Sequence, residues 1–455
     1  MPGHLSSWGT MTVCSSRRRI AYWLRLGSAA SLVAVASATQ AADFTYRIEV
    51  APGHTDNIRR VATDKEDETI ISAGLLLRLM EQTRRTNLRL LSDLAYLDYL
   101  DDTYESQVIG NVAASGRYEV IEERLSLSFD DSFGQVRRDP TAAVTPSNRE
   151  NVNYFMAGPD LRLPLGELTQ FTLGGRYSII SYEESPLDST RTQGSVGLTR
   201  SLSRETDVGL RATMEDVRFD EDSVGSQYDR YEYVVRYNTR ALARTDLLLE
   251  VGYNVVEQEE QETDGVVARL NLNRRITRAS SVRLGVTREL SSSGDLFRRL
   301  QNLNGVDLDM QPTQSTSDPF ESTEVLVGYS FSRARTGFDI TLSRFDEKYD
   351  LRPEQDHETK VVDLTARREI TPTVGLNFIA QHVEEDFVDP LPDFRELRTT
   401  LSIGKRIGRL TMVSAQYTFS RRRGSLPGDK YNENAIWLRL AYGTALGSAG
   451  VGVAR

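Results

Sequence analysis

At 455 residues the chain is long enough for two or three soluble domains, but hydrophobic residues make up only 39% of it and no long helical periodicity supplies a large α core. The formal charge of −10 excludes the basic footprint that nucleic-acid binding requires. Such a chain must bury its apolar residues in an arrangement thinner than a globular core.

Residues 1–42 read as a secretory signal. Arg17, Arg18 and Arg19 precede a mostly apolar run from Ile20 to Ala38, and small residues follow around Thr39, Gln40, Ala41 and Ala42. Arg25 and the small-residue exit speak against a retained anchor. Cleavage near Ala41 or Ala42 would remove the only cysteine, Cys14, together with the leader arginines. The mature chain would then be more acidic still and would carry no thiol chemistry.

From Phe44 onward the apolar period is two. Phe171, Leu173, Tyr177 and Ile179 alternate with Thr172, Gly174, Arg176 and Ser178, and Tyr231, Tyr233, Val235 and Tyr237 alternate with Arg230, Glu232, Arg236 and Asn238. Each such segment predicts a strand with one apolar and one polar face. About twenty of them fall between Phe44 and Tyr442. Phrases such as "LTRSLSRETDVGLRA" from Leu198, "NLNRRITRASSVRLGV" from Asn271 and "LSIGKRIGRLTMVSA" from Leu401 recur as strand, tight turn and strand.

The connections alternate in length. Short ones lie around Arg84, Glu122, Pro164 to Glu167, Arg204, Arg244, Arg278, Arg335, Ile370 and Gly408. Long ones include Pro52 to Glu66, Arg137 to Arg149, Glu257 to Gly265, Ser291 to Phe320 and Glu385 to Asp393. This predicts an all-β fold: a closed antiparallel transmembrane β-barrel of about 20 strands (18–20), with short periplasmic turns and long extracellular loops. The barrel would span residues 43–443, because a β-structure crossing lipid must close on itself while its lumen may stay polar.

By this register the lumen-facing charges are Arg176, Arg211, Glu215, Arg236, Glu250, Arg269, Arg283, Asp339, Asp363, Arg367, Arg398 and Arg439. Arginines outnumber acids on this face. Such a ladder either selects anionic solutes or anionic polysaccharide, or is paired within the wall, and the register leaves both open. On the other face Tyr231, Tyr253, Phe345, Tyr417 and Phe419 fall near the loop ends and Tyr237, Tyr329, Phe331 and Tyr442 near the turn ends, as two interfacial girdles would.

Acidic runs at Phe219 to Asp222, Glu257 to Asp264 and Glu384 to Asp386 are expected in outer loops. There they would either be solvated or hold divalent cations that bridge to lipopolysaccharide phosphates. In the longest loop, Asp295 is a candidate helix cap, and Leu296, Leu300 and Leu303 share a helical face with Phe297 close by. These four apolar residues are candidates for a constriction if the loop folds into the lumen; packing over the rim is the alternative. The last segment, "NAIWLRLAYG", looks like the closing strand read by the barrel-assembly machinery, and residues 444–455 would form a short periplasmic tail.

Beyond the leader, histidine is limited to His54, His357 and His382. The first two are expected in outer loops beside Asp56 and Asp356, and the third near the top of a strand. No CxxC, HExxH or phosphate-cradling glycine loop occurs, so the sequence suggests no enzyme and no cofactor.

With the signal, the opening "FTYRIEVAPGHTDNIRR", the hairpin phrases and the closing "NENAIWLRLAYG" together, the chain resembles the β-barrel porin 2 type of outer-membrane protein across nearly the whole barrel. That resemblance implies a passive conduit in the cell outer membrane of a Gram-negative organism, with relatives associated with exopolysaccharide and exosortase loci, and polysaccharide-export proteins as partners. It carries over no site residues. Strands beginning at Phe44 leave no room for an N-terminal plug of the TonB-dependent kind. Two functions therefore stand open: transport, as a porin-like channel or an exopolysaccharide exit, and a structural or surface-interaction barrel plugged by its own loops.

Overall fold

A computed structural model describes residues 42–220, 227–258, 261–302, 316–425 and 429–444. Twenty strands run from β1 (Asp43–Thr55) to β20 (Tyr431–Gly443). Each pairs antiparallel with the strands before and after it, and β1 also pairs with β20, so the sheet closes. The closing ladder runs from Arg47↔Gly443 to Thr55↔Ala435 and skips Ala51 and Pro52, where proline has no N–H to give. Among the described residues no helix is long and apolar enough to cross a membrane. The strands cross instead.

Alternation decides which way each side chain points. In β10 (Tyr228–Thr239), Tyr233, Val235 and Tyr237 stand outward with 54%, 52% and 37% exposure, while Arg230, Glu232, Val234 and Arg236 face the lumen. The same pattern repeats around the wall, in Val251 and Tyr253 of β11 (Thr245–Gln258), Leu401 and Ile403 of β18 (Phe394–Arg406) and Leu438 and Leu440 of β20. A water-soluble protein does not present an apolar band that encircles it. Hydrocarbon is the solvent that this exterior fits.

Short connections gather at one end of the barrel and longer ones at the other. Several short turns use left-handed residues without glycine, as at Glu123, Arg244 and Ala334, with φ of 59°, 61° and 46°. One expected loop is absent: β11 and β12 (Gln261–Arg275) stay paired to Gln258↔Gln261, so the acidic run from Glu257 is mostly strand. Glu257 and Glu262 sit opposite one another there, above the apolar band, where a strand can be polar on both faces. Of the run at Phe219 to Asp222, the last two residues lie outside the described residues. The run at Glu384 to Asp386 belongs to β17 (Val374–Phe387) and is ion-paired, Glu384 with Arg395 at 2.7 Å and Asp386 with Lys360 at 3.0 Å.

At the long-loop end two ladders stop early. β4 (Gln107–Ile121) and β5 (Leu125–Arg137) part beyond Val112↔Phe133. β12 and β13 (Ser280–Ser291) part beyond Ala268↔Arg288, although β13 stays paired with β14 (Phe320–Arg333) up to Ser291↔Phe320. Leu290, which alternation would turn to lipid, is buried against the inward residues Val217, Tyr228 and Val256. The buried Asn254 holds the departing strand. Oriented to satisfy both groups, its carboxamide donates to the Gly265 carbonyl and accepts from the Leu290 N–H, each at 3.0 Å.

The aromatic expectation needs one correction. Phe345 of β15 (Thr336–Lys348) shares the inward parity of Asp339 and is 5% exposed, packed with Phe320, Tyr349, Val361 and Val383. It belongs to the interior rather than to an interfacial girdle.

The two faces should respond differently to charge. Val251→Arg, set in the lipid band, is expected to cost about 2–4 kcal/mol, whereas Thr199→Arg, on the lumen face, should change stability by about 0.5 kcal/mol or less. Urea unfolding from lipid vesicles measures both, and equal losses would invalidate the assigned faces.

Candidate functional site: a vestibule closed by a lumenal helix

The loop after β13 folds into the barrel. Ser292 caps a helix, α1 (Ser293–Asn302), by accepting from the Asp295 N–H at 3.3 Å, while the Ser292 carbonyl accepts the first helical bond from Leu296. Asp295 is therefore the third residue of the helix and not its cap. Leu296 and Phe297 are each 1% exposed and point to different walls. Leu296 packs with Phe320, Phe345, Val361 and Val383 of β14 to β17 and with Tyr349 just past β15, and Phe297 with Val136, Val152, Tyr154, Ile180 and Tyr182 of β5 to β7. One turn of helix thus joins facing walls. Burying those two side chains contributes on the order of 1.5–3 kcal/mol each. Leu303 and the Leu300 side chain lie outside the described residues.

Charge fixes the helix as well. The Asp295 carboxylate accepts from Arg230 at 2.9 Å, from Arg191 at 3.3 Å and from the Ser292 hydroxyl at 3.0 Å. Arg230 in turn pairs with Glu215 at 2.5 Å. Burial opposes ionisation of Asp295, but Arg230, Arg191 and Arg298 outweigh it and hold its carboxyl well below the usual carboxylate range. At the other end of α1, Arg299 pairs with Glu289 and, at 3.5 Å, with Glu324, while the Arg298 guanidinium lies 5.3 Å over the Tyr154 ring.

Two further segments fill the loop end beside α1. From loop 56–67, Ile58 packs with Trp437, and Arg60 binds Glu433 at 2.8 Å and the carbonyl of Val144. From loop 138–148, the carbonyls of Thr141 and Ala142 accept from Arg422, whose guanidinium lies 3.6 Å over the Phe394 ring. Arg137 at the tip of β5 reaches Glu385 of β17 at 3.0 Å, both buried. Gly53 faces the Trp437 indole so closely that a side chain there would displace it.

Beneath α1 lies a cavity of about 950 Å³, running from Asp295, Arg298 and Arg299 toward the turn-end residues Arg117, Arg162, Thr199 and Arg236. Arg176, Arg211, Glu215, Arg236, Glu250 and Arg269 line it together, on strands β7 (Thr169–Tyr182) to β12. Arg269 is the hub, 2.5 Å from Glu232, 3.1 Å from Glu250 and 2.5 Å from Glu289. Arg176 pairs with Asp160 at 2.6 Å, and Arg211 and Arg236 approach Glu250 at 3.7 and 3.8 Å.

The other six candidates lie elsewhere on the inner wall. Arg283 stands beside Gly328, Arg367 donates to Ser332 at 3.2 Å, Asp339 accepts from Ser330, and Asp363 accepts from Gln381 at 2.7 Å. Arg398 and Arg439 are buried around a second cavity of about 60 Å³ beside Trp437. Arg191, Glu289, Arg298, Arg299 and Asp295 were not singled out for the lumen. Parity alone could have supplied Arg191, but nothing local announces its partner in α1.

The histidines stand apart from the cavity. His54 is in β1, His382 has outward parity in β17, and His357 is buried at the start of β16 (His357–Glu369) against the Gln355 carbonyl. Among the described residues no three His, Cys, Asp or Glu side chains are grouped to hold a metal ion.

A closed 20-stranded antiparallel barrel with an apolar exterior and a charged interior defines an outer-membrane β-barrel protein. No family model and no curated protein matches the chain. Among solved structures it is similar to the ferric citrate transporter FecA, with 10% identity, 88% of this chain and 78% of that chain covered, and a TM-score of 0.44. It is also similar to the ferric enterobactin receptor PfeA of Pseudomonas aeruginosa, at 10% identity, 89% and 81% coverage and a TM-score of 0.43. A third is the siderophore receptor PirA of Acinetobacter baumannii, at 8%, 88% and 80%, with a TM-score of 0.42.

Replacing Asp295 leaves Arg191 and Arg230 buried with one acid fewer, and breaking a buried ion pair costs about 3–5 kcal/mol. Asp295→Asn is expected to release α1 while the barrel stays folded. Trypsin should then cleave at Arg298 or Arg299 at least tenfold faster than in the parent; equal cleavage rates would show that Asp295 does not hold the helix.

Proposed function

We propose that the protein is a gated outer-membrane conduit caught in its closed state, with α1 as the stop. The observation that carries this reading is the vestibule beneath α1: a polar, charged cavity of about 950 Å³ that ends on a helix whose described contacts with the facing walls are side-chain ion pairs and apolar packing. Ion pairs and packed apolar side chains can be exchanged for other partners without breaking the wall. In the resting state solute reaches the arginine-rich cavity from the turn end and goes no further. The cargo that fits the resemblance is a polysaccharide leaving the cell, with polysaccharide-export proteins delivering it and lipopolysaccharide surrounding the loop end.

The reading as a plugged structural or surface-interaction barrel draws on a different observation. Leu296, Phe297 and Trp437 sit in well-packed apolar clusters, as a permanent seal would.

Planar-bilayer recordings separate the two. The intact protein is expected to be silent, and a form with residues 293–302 replaced by a glycine-serine linker should pass at least tenfold more current. Silence in both would favour the permanent seal. Acidity should not open the gate. With its folded pKa depressed, Asp295 contributes stability at all pH above the ordinary carboxylate range near 3.9 and loses it only as pH falls through the lower folded value. Closure should therefore be the same at pH 7 and pH 5, and opening between them would assign the latch to another group.

A further inference from the structure

We infer that the vestibule is a binding site for an acidic glycan, a hydroxyl-rich chain bearing carboxylates; this rests on the reading of the barrel as a conduit and names what it would carry. The sign of the cavity is the first ground. Nine arginines line it against six carboxylates, in a chain whose net charge is −10. Positive charge is concentrated in this lumenal cavity, against the sign of the chain as a whole.

Accessibility sharpens the point. The Glu215 and Glu250 side chains are 5% and 8% exposed and already engaged by guanidinium groups. Arg211 and Arg236 are 41% and 50% exposed, with their nearest carboxylates at 3.3 and 3.8 Å. An incoming ligand therefore meets guanidinium N–H groups before it meets a carboxylate. A planar guanidinium with several donors suits a carboxylate better than a point charge does.

The rest of the lining accounts for the hydroxyl-rich part. Gln193, Ser195, Thr199 and Thr213 present donors and acceptors between the charges. Among the described residues no aromatic ring lines the cavity, so a neutral sugar would find no face to stack on. Charge is then the principal source of affinity, and salt should weaken it.

The test is calorimetric titration of the intact protein in detergent with trigalacturonate, maltotriose and citrate. Trigalacturonate should bind, and the double variant Arg211→Gln/Arg236→Gln should bind at least tenfold more weakly while keeping the parent's folded-barrel circular dichroism. Maltotriose should give no binding, and citrate should bind at least tenfold more weakly than trigalacturonate. Maltotriose binding as tightly as the acid, unchanged affinity in the double variant, or citrate matching trigalacturonate would each overturn the assignment. The closed protein is enough for this measurement. A protein that conducts without α1 but ignores trigalacturonate loses its glycan and remains a conduit, and one that binds trigalacturonate but never conducts keeps its site and loses the conduit.

Discussion

Every peptide group that a strand carries through hydrocarbon must find its partner on a neighbouring strand, and the whole molecule follows from that constraint. It forces twenty strands to close, β1 onto β20, and leaves the stretches that cross hydrocarbon only one face for charge, the one turned to the lumen. The constraint relaxes at the long-loop end, where water or protein can satisfy the backbone. There β5 leaves β4, and β13 leaves β12. The closure is built from strand ends that no longer owe their hydrogen bonds to the membrane, and the Asn254 side chain supplies one bond to each of the two strands that part, to the Gly265 carbonyl of β12 and from the Leu290 N–H of β13.

Inside the closure, apolar packing and ion pairing have separate duties. Leu296 and Phe297 give the helix its attraction to the walls, but such contacts are non-directional and would tolerate other rotations of α1. Asp295 does not tolerate them, because its carboxylate must meet Arg191, Arg230 and the Ser292 hydroxyl together. A buried ion network is weak evidence of stability by itself. Its plainer use is to fix one orientation and make every other one leave a charge unpaired.

Most of the wall was legible from alternation, since a period of two in residues such as Tyr231 to Tyr237 has only one structural solution when the inner positions carry charge. Legibility failed where strands leave the bilayer. The charged run from Glu257 reads as a loop because, above the apolar band, nothing distinguishes a strand from a loop by composition. Phe345 was misplaced for the opposite reason: an aromatic near a strand end is the mark of a girdle, and its inward parity shows only when the whole strand is registered. The helix itself was visible, with Leu296 and Phe297 on it, whereas its ionic partners were not. Asp295 and Arg191 are separated by 104 positions, and only three-dimensional closure makes them neighbours.

The inward departure of β13 also sets how the stop would bear a load. A pull on α1 along the barrel axis is passed to a strand tied to β14 over its whole length, from Ser280↔Phe331 to Ser291↔Phe320. Many parallel hydrogen bonds are then loaded at once, in shear, while the contacts of Asp295, Arg298 and Arg299 with the walls are met one after another. The anchoring is stiff at the root and compliant at the tip. A polymer chain advancing through the lumen would therefore swing the helix aside before it could unthread the wall.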